Sequence, residues 1–306
     1  MSWDLFVSLL AATILAGTPL LYATLGEMLT ERSGVLNLGV EGMMILGAFF
    51  AFIVELKTGN HWLAALAAGL GTACIGMLHG VVCLIFRGNQ TVSGLALTIF
   101  GVGLSDYLGT PFVGTMTEGF QPFALPLLGQ IPLLGPVFFQ HNALVYLSYI
   151  LPPLLWFFLN RTSTGLALCA SGEYPDAVSA AGISPARMRW IGIAGGAFLV
   201  GLGGAYLSLC ATHMWTNNLT AGKGWIAVAL VIFAFWRPGR AVVGAWLFGG
   251  IMALQLRLQA LGTNIPSSFM MMLPYALTII ALLLATARGR GRRAPAALGD
   301  NILPGA

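Results

Sequence analysis

Few residues in this chain are of a type that does chemistry, and those few stand apart. His61, His79, His141 and His213 are scattered, with none of the close spacing of a metal-ligand set. No GxSxG run and no nucleophile paired with a base occurs in a usable context. Gly222-Lys223-Gly224 comes nearest to a phosphate-binding loop, but it lacks the upstream glycine and the hydroxyl of GxxxxGK[ST]. The expectation is no catalytic residue, no metal and no ATP site of that type, so any energy source lies outside the chain. What remains is hydrogen-bonding and stacking chemistry. Asn37 and Glu41 stand four apart, on one face of a helix. Asn217, Asn218 and Thr220 lie beside Trp215 and Trp225. A carboxylate inside an apolar span is costly and faces a cavity or a partner. Two readings stay open for Asn37 and Glu41: a face that hydrogen-bonds a polar solute along a passage, or a cap on exposed N–H groups at a helix break. The tryptophans likewise suit either a solute lining or an interfacial belt.

These residues are set in a chain that is 58% hydrophobic and only 8% charged, with a mean hydropathy of +0.86. A soluble fold of 306 residues could not cover its surface with so few polar side chains. The fold class is an all-α polytopic membrane protein, since the weak alternation of a membrane barrel is missing. Apolar runs long enough to span fall at about 4–25, 34–54, 62–86, 91–110, 143–159, 188–211, 223–236, 240–261 and 268–287, about nine helices within a range of eight to ten. Residues 1–290 read as a single transmembrane domain and 291–306 as a disordered cytoplasmic tail. Asp4 and the lack of any Lys or Arg before Arg32 make the first run a retained span rather than a cleaved signal. The net charge of +4 is spread between runs, with no basic stripe interleaved with aromatics, so nucleic acid is not expected as a partner. Cys74, Cys83, Cys169 and Cys210 read as free thiols.

Lys and Arg near span ends put the N-terminus outside and the C-terminus, with Arg288, Arg290, Arg292 and Arg293, in the cytoplasm. Segment 111–142 holds too many prolines and glycines for one helix and reads as an extracytoplasmic cap with short helical pieces. The runs Gly26–Gly47 and Thr212–Ala229 read as discontinuous helices. They share a pattern, Asn37 before Glu41-Gly42 and Asn218 before Lys223-Gly224, entering from opposite sides as inverted repeats would.

The stretch Asn160–Arg189 interrupts this apolar chain with Arg161, Glu173, Asp176, Arg187 and Arg189. Within it Pro175 starts a short helix, Ala177, Ala180 and Ala181 give it a small-residue face, and Gly182 suits a left-handed end. Glu173 sits at the positive end of that helix. The segment lacks the large apolar face of an interfacial anchor, which favours display to a soluble partner over a connector resting on the membrane.

Gly172-Glu173-x-Pro175-x-Ala177-x-x-x-Ala181-Gly182-Ile183 resembles the coupling-helix loop of ABC importer permeases of the branched-chain amino acid/ribose/nucleoside superfamily. Glu31-Arg32-Ser33-Gly34-Val35-Leu36-Asn37-Leu38-Gly39-x-Glu41-Gly42-Met43-Met44 resembles the signature of its nucleoside-type members, which work with binding proteins of the basic membrane protein type. Gly222-Lys223-Gly224-Trp225-Ile226-Ala227, with Phe233 and Pro238, is similar to a third recurrent block, and the likeness runs in order over residues 20–260. Cys169-Ala170-Ser171 departs from the basic or polar residue usual before the coupling glycine.

The resemblance implies the permease subunit of an ATP-driven importer, not an enzyme, set in a bacterial cytoplasmic (inner) membrane. Its expected solute is a nucleoside, with import of a simple sugar or branched-chain amino acid, or ion-coupled secondary transport, as alternatives. It implies a cytoplasmic ATPase subunit that binds ATP and Mg, a second permease subunit (heterodimer favoured over homodimer), an extracytoplasmic solute-binding protein and membrane lipid as partners. It assigns Glu173, Pro175, Ala177, Ala181 and Gly182 to ATPase contact. From the chemistry of the residues themselves, Asn37, Glu41, Asn217, Asn218, Thr220 and Trp225 are the expected translocation-pathway residues.

Overall fold

The computed structural model describes residues 3–261, 266–287 and 294–300. Among these, the chain forms α1 (Trp3–Arg32), α2 (Val40–Thr58), α3 (His61–Gly80), α4 (Gln90–Gly109), α5 (Leu134–Phe138), α6 (Ala143–Arg161), α7 (Ser163–Glu173), α8 (Pro175–Ala180), α9 (Pro185–Tyr206), α10 (Lys223–Ala234), α11 (Pro238–Ala260) and α12 (Ser267–Ala287). Two short strands, β1 (Phe123–Ala124) and β2 (Gln140–His141), pair antiparallel beside α5. The first helix is the axis of the bundle. Every residue of it from Gly17 to Arg32 is buried. It packs on α9, α10 and α11. With lipid as apolar as the side chains, such packing depends on close backbone approach. Gly26 and Gly196 provide it, each so near the other's carbonyl oxygen that a Cβ would collide.

Six described helices are long and apolar enough to cross a membrane: α1, α3 with its π-helical extension to Ile85, α4 with its extension to Phe112, α6, α9 with its π-helical extension to Thr212, and α11. The three other span candidates fall on α2, which carries Glu41, Glu55 and Lys57, on the 12-residue α10, and on α12. The chain is therefore a predominantly helical, multi-pass membrane protein of the all-α class, its one two-residue ribbon aside. Both runs read as discontinuous are interrupted. Residues 33–39 are unwound between α1 and α2, and 213–222 between the π turn of α9 and α10.

Segment 111–142 contains α5, the ribbon and two short turns of 3-10 helix. It is tied to the 209–215 stretch by Gly114 N–H to Trp215 O (3.0 Å), Thr117 N–H to His213 O (2.9 Å) and Phe120 N–H to Leu209 O (2.9 Å).

Of the tail 291–306, residues 294–300 belong to the described structure. Residues 294–300 fold back onto the bundle, with Ala297 N–H donating to Gly172 O at 2.9 Å and Gln90 Nε2 to Asp300 O at 2.9 Å. Ala296 N–H reaches Glu173 Oε2 at 3.3 Å, and Pro295 and Ala297 are buried. Small apolar residues fit this crevice, and the turn within 295–300 leaves backbone groups free to bond across it. Arg288, Arg290, Arg292, Arg293 and residues 301–306 lie outside the described residues. Removing residues 294–306 unpairs Gly172 O and the Gln90 amide, costing about 2 kcal/mol. A lower melting temperature of the detergent-solubilised truncation checks this; an unchanged one contradicts it.

Candidate functional site

The unwound 33–39 turn is buried among helices, where water cannot take its backbone groups, so side chains must. Glu27, on the last turns of α1, accepts from Asn37 N–H at 3.2 Å. Gln90, the first residue of α4, accepts from Leu36 N–H at 2.7 Å. His79 of α3 stands 3.1 Å from Leu36 O, and Thr98 of α4 donates to Leu38 O at 2.9 Å. Ser171 of α7 donates to Ser33 O at 3.2 Å. Asn37 closes the turn on itself, its Oδ1 accepting from Gly39 N–H at 2.8 Å. Gly34 holds a φ of +92°, open to glycine without strain.

Immediately after the turn, Glu41 lies in the first turn of α2 and is 5% exposed. Its Oε1 accepts from Thr220 Oγ1 at 2.5 Å and from Gly222 N–H at 2.9 Å; its Oε2 accepts from Gly224 N–H at 2.6 Å. One carboxylate thus closes the start of α10 while sitting at the start of α2, facing the positive ends of two helices. Lys223, with Nζ 3.1 Å from Thr220 O, adds a cation beside it. Gly224 is required here because a Cβ would strike the Glu41 backbone. A second carboxylate, Glu31, accepts from Trp236 Nε1 at 2.5 Å and ties α1 to the α10–α11 turn.

The 160–189 segment joins this assembly at Ser171 and Gly172. Gly172 packs so closely on the backbone of Arg32 and Gly34 that a side chain would not fit. Beyond it, Tyr174 is extended and Pro175 opens α8. Gly182, at φ +77°, ends the helix with Ile183 N–H to Val178 O (3.1 Å) and Gly182 N–H to Ser179 O (2.9 Å), a Schellman end. Val178 is the buried anchor of α8. Glu173, Ala177, Ala181 and Gly182 are exposed and Pro175 half-buried, giving a small-residue face open to a partner.

Of the residues expected on a passage, Glu41 and Thr220 meet in the junction, and Asn37 lies buried in the turn beside them. Asn37 and Glu41 do not share a helical face, because α2 starts only at Val40. Asn217, Asn218 and Trp225 are exposed and apart from that junction, while Trp215 is fully buried against Phe49 and Phe52 at 5.2 and 5.9 Å between ring centres. The sequence reading did not find Glu27, His79, Gln90, Thr98 and Ser171 as holders of the turn. Polarity inside an apolar run was a signal for His79 and Thr98 alone, since Glu27 and Gln90 fall between runs and Ser171 falls in the polar 160–189 stretch.

His79 Nδ1 stands 2.9 Å from Ser93 Oγ while its Nε2 stands 3.1 Å from Leu36 O, so the imidazole is occupied in holding the turn; no His/Cys/Asp/Glu group among the described residues could hold a metal ion. Likeness to known proteins gives this bundle of apolar helices, with its two pinned helix breaks, the class of a transport permease. A family model described as "Branched-chain amino acid transport system / permease component" matches residues 9–282, and the chain belongs to that family. It is 44% identical over 260 residues to a Haloferax volcanii protein named "Putative glucose ABC transporter permease protein", covering 83% of this chain and 78% of the relative. It is 35% identical to the guanosine ABC transporter permease protein NupQ of Bacillus subtilis, covering 89% of each chain. It is 32% identical to the nucleoside ABC transporter permease protein NupC of Lactococcus lactis, covering 90% of this chain and 91% of the relative. No solved structure matches.

Glu41→Ala leaves the Thr220 hydroxyl and two backbone N–H groups buried without an acceptor, at a combined cost of about 3 kcal/mol or more. The expected result is a marked drop in melting temperature, and a smaller one for Glu41→Gln, which keeps one oxygen. Wild-type melting of Glu41→Ala would contradict the pinning role.

Proposed function

We propose that the chain is the membrane-spanning subunit of an ATP-driven importer that moves nucleosides into the cytoplasm by alternating access. The observation that carries the solute is the likeness, over about nine-tenths of both chains, to two permeases named for guanosine and nucleosides. The 31–44 signature supports the same solute class. In this reading nine helices span the cytoplasmic membrane, with the N-terminus outside and the C-terminus inside. A separate ATPase subunit holds ATP and Mg and contacts Glu173, Pro175, Ala177, Ala181 and Gly182. A second permease chain, in a heterodimer, completes the pathway, and an extracytoplasmic binding protein delivers solute. Alternation is a change between two packings of the permease pair, driven by closure of the ATPases. Asn217, Asn218 and Trp225, being exposed, suit contact with a passing solute, by hydrogen bonds to hydroxyls and stacking on a base. Asn37, Glu41 and Thr220 border that route from within the junction.

A sugar is the second reading, carried by the 44% identical relative named for glucose. Uptake of radiolabelled guanosine, cytidine, glucose and leucine by cells expressing the chain with its partner subunits separates the two. Saturable nucleoside uptake, undiminished by excess glucose, is expected. Uptake of glucose with none of guanosine or cytidine would overturn the nucleoside assignment.

A further inference from the structure

A groove runs between α6 and α11, lined by neither Glu41 nor Thr220, with Arg32 and Trp236 at one end. Its longer part is a cavity of about 610 Å3, within the roughly 300–1,000 Å3 of small-ligand sites. It is walled by apolar side chains, among them Leu21, Phe138, Val242 and Trp246. It runs on into a second cavity of about 430 Å3, sharing Trp156 and Gly239 with it. There the lining changes to Asn160, Arg237, Arg240 and Arg32, with no carboxylate among the lining residues of either cavity.

Local sequence makes the groove. Pro152 and Pro153 lie within α6 on the groove wall and remove two backbone donors from that helix. Opposite, α11 opens with Pro238 and Gly239, and a Cβ at Gly239 would meet nothing within 4 Å. The surfaces to either side are exposed and apolar, with Ile150, Leu154 and Phe157 on α6 and Val243 and Leu247 on α11. Both helices are long and apolar enough to span, so the groove opens sideways toward hydrocarbon. Its basic end lies where α6 finishes and α11 begins, at the end of the bundle that carries the 160–189 segment. Arg237 and Arg240 are exposed there, with the Arg240 guanidinium held over the Phe235 ring at 5.1 Å.

An apolar trough that ends in arginines at a membrane surface matches one kind of molecule in shape and charge: an acyl chain joined to a phosphate. We propose that the α6–α11 groove binds one anionic phospholipid, its acyl chain along Trp156, Val242 and Trp246 and its phosphate at Arg237 and Arg240. A partner helix would fill the trough equally well but would leave the arginine end without an anion. The site is independent of which solute the permease moves.

The test is native mass spectrometry on the purified full-length chain, delipidated and then offered phosphatidylglycerol, phosphatidylcholine or inorganic phosphate. Wild type should hold one phosphatidylglycerol per chain, preferred over phosphatidylcholine by about tenfold. The double variant Arg237→Gln/Arg240→Gln should lose that preference. Gly239→Leu, whose side chain enters open groove, should lose the bound lipid while the delipidated proteins melt alike. If Gly239→Leu fails to fold, the arginine variant alone decides. Equal retention of phosphatidylcholine by wild type, or undiminished phosphatidylglycerol on the arginine variant, would overturn the proposal. So would binding of inorganic phosphate with the acyl groove empty, or a second copy of the chain seated there.

Discussion

An unwound stretch of backbone inside a membrane bundle must find all of its hydrogen bonds within the protein, and residues 33–39 are such a stretch. Buried among helices, the turn is screened from water, and each unmade bond costs about 1–3 kcal/mol. Much of the fold answers this demand. Glu27 from α1, His79 from α3, Gln90 and Thr98 from α4 and Ser171 from α7 converge on one short turn, fixing where those four helices stand. Glu41, just past the turn, extends the same logic to a second break by closing the start of α10. The signature 31–44 is therefore an architectural device before it is anything else. Its polar residues, conspicuous in an apolar chain, are mostly occupied in holding backbone.

That device also touches the displayed segment. Ser171 and Gly172 rest on Ser33, Arg32 and Gly34, and the tail adds a third layer through Ala297 and Asp300. From α8 the contacts run through α7, whose Ser171 and Gly172 touch the turn, and then to α2 and α10 through Glu41. The contacts form a continuous path of packed and hydrogen-bonded groups, and such a path transmits force when its elements have two arrangements to choose between. The lipid groove of α6 and α11 lies to one side of this path, with Arg32 common to the groove and the turn.

Much of this was legible in the residues because its causes are local. Apolar run length located helices at all nine span candidates, and proline and glycine marked the ends of α8, down to the left-handed Gly182. Glycines and polar residues inside apolar surroundings marked both breaks. The rest depends on contacts between residues far apart in the chain. Asn37 and Glu41 at a spacing of four look like one helical face, yet the turn's own Asn37–Gly39 bond delays α2 until Val40. Thr220 and Glu41 are 179 residues apart, and Trp236 and Glu31 are 205 apart. No periodicity foretells such pairs. The crevice in which residues 294–300 lie exists only once α7 is in place, so no local pattern in those residues announces it. The same holds for α7 itself, whose Ser163–Glu173 run carries too little amphipathic pattern to announce a helix.

The central claim is that ATP spent by a separate subunit reaches this permease through the segment carrying Glu173 and α8. ATP-driven guanosine uptake into proteoliposomes containing the full assembly, measured beside ATP hydrolysis for wild type and Glu173→Arg, tests it most directly. The account predicts that wild type accumulates guanosine only with ATP, and that Glu173→Arg loses uptake because the ATPase no longer engages the permease. Wild-type uptake by Glu173→Arg, or uptake by the permease alone along an ion gradient without ATP, would contradict it.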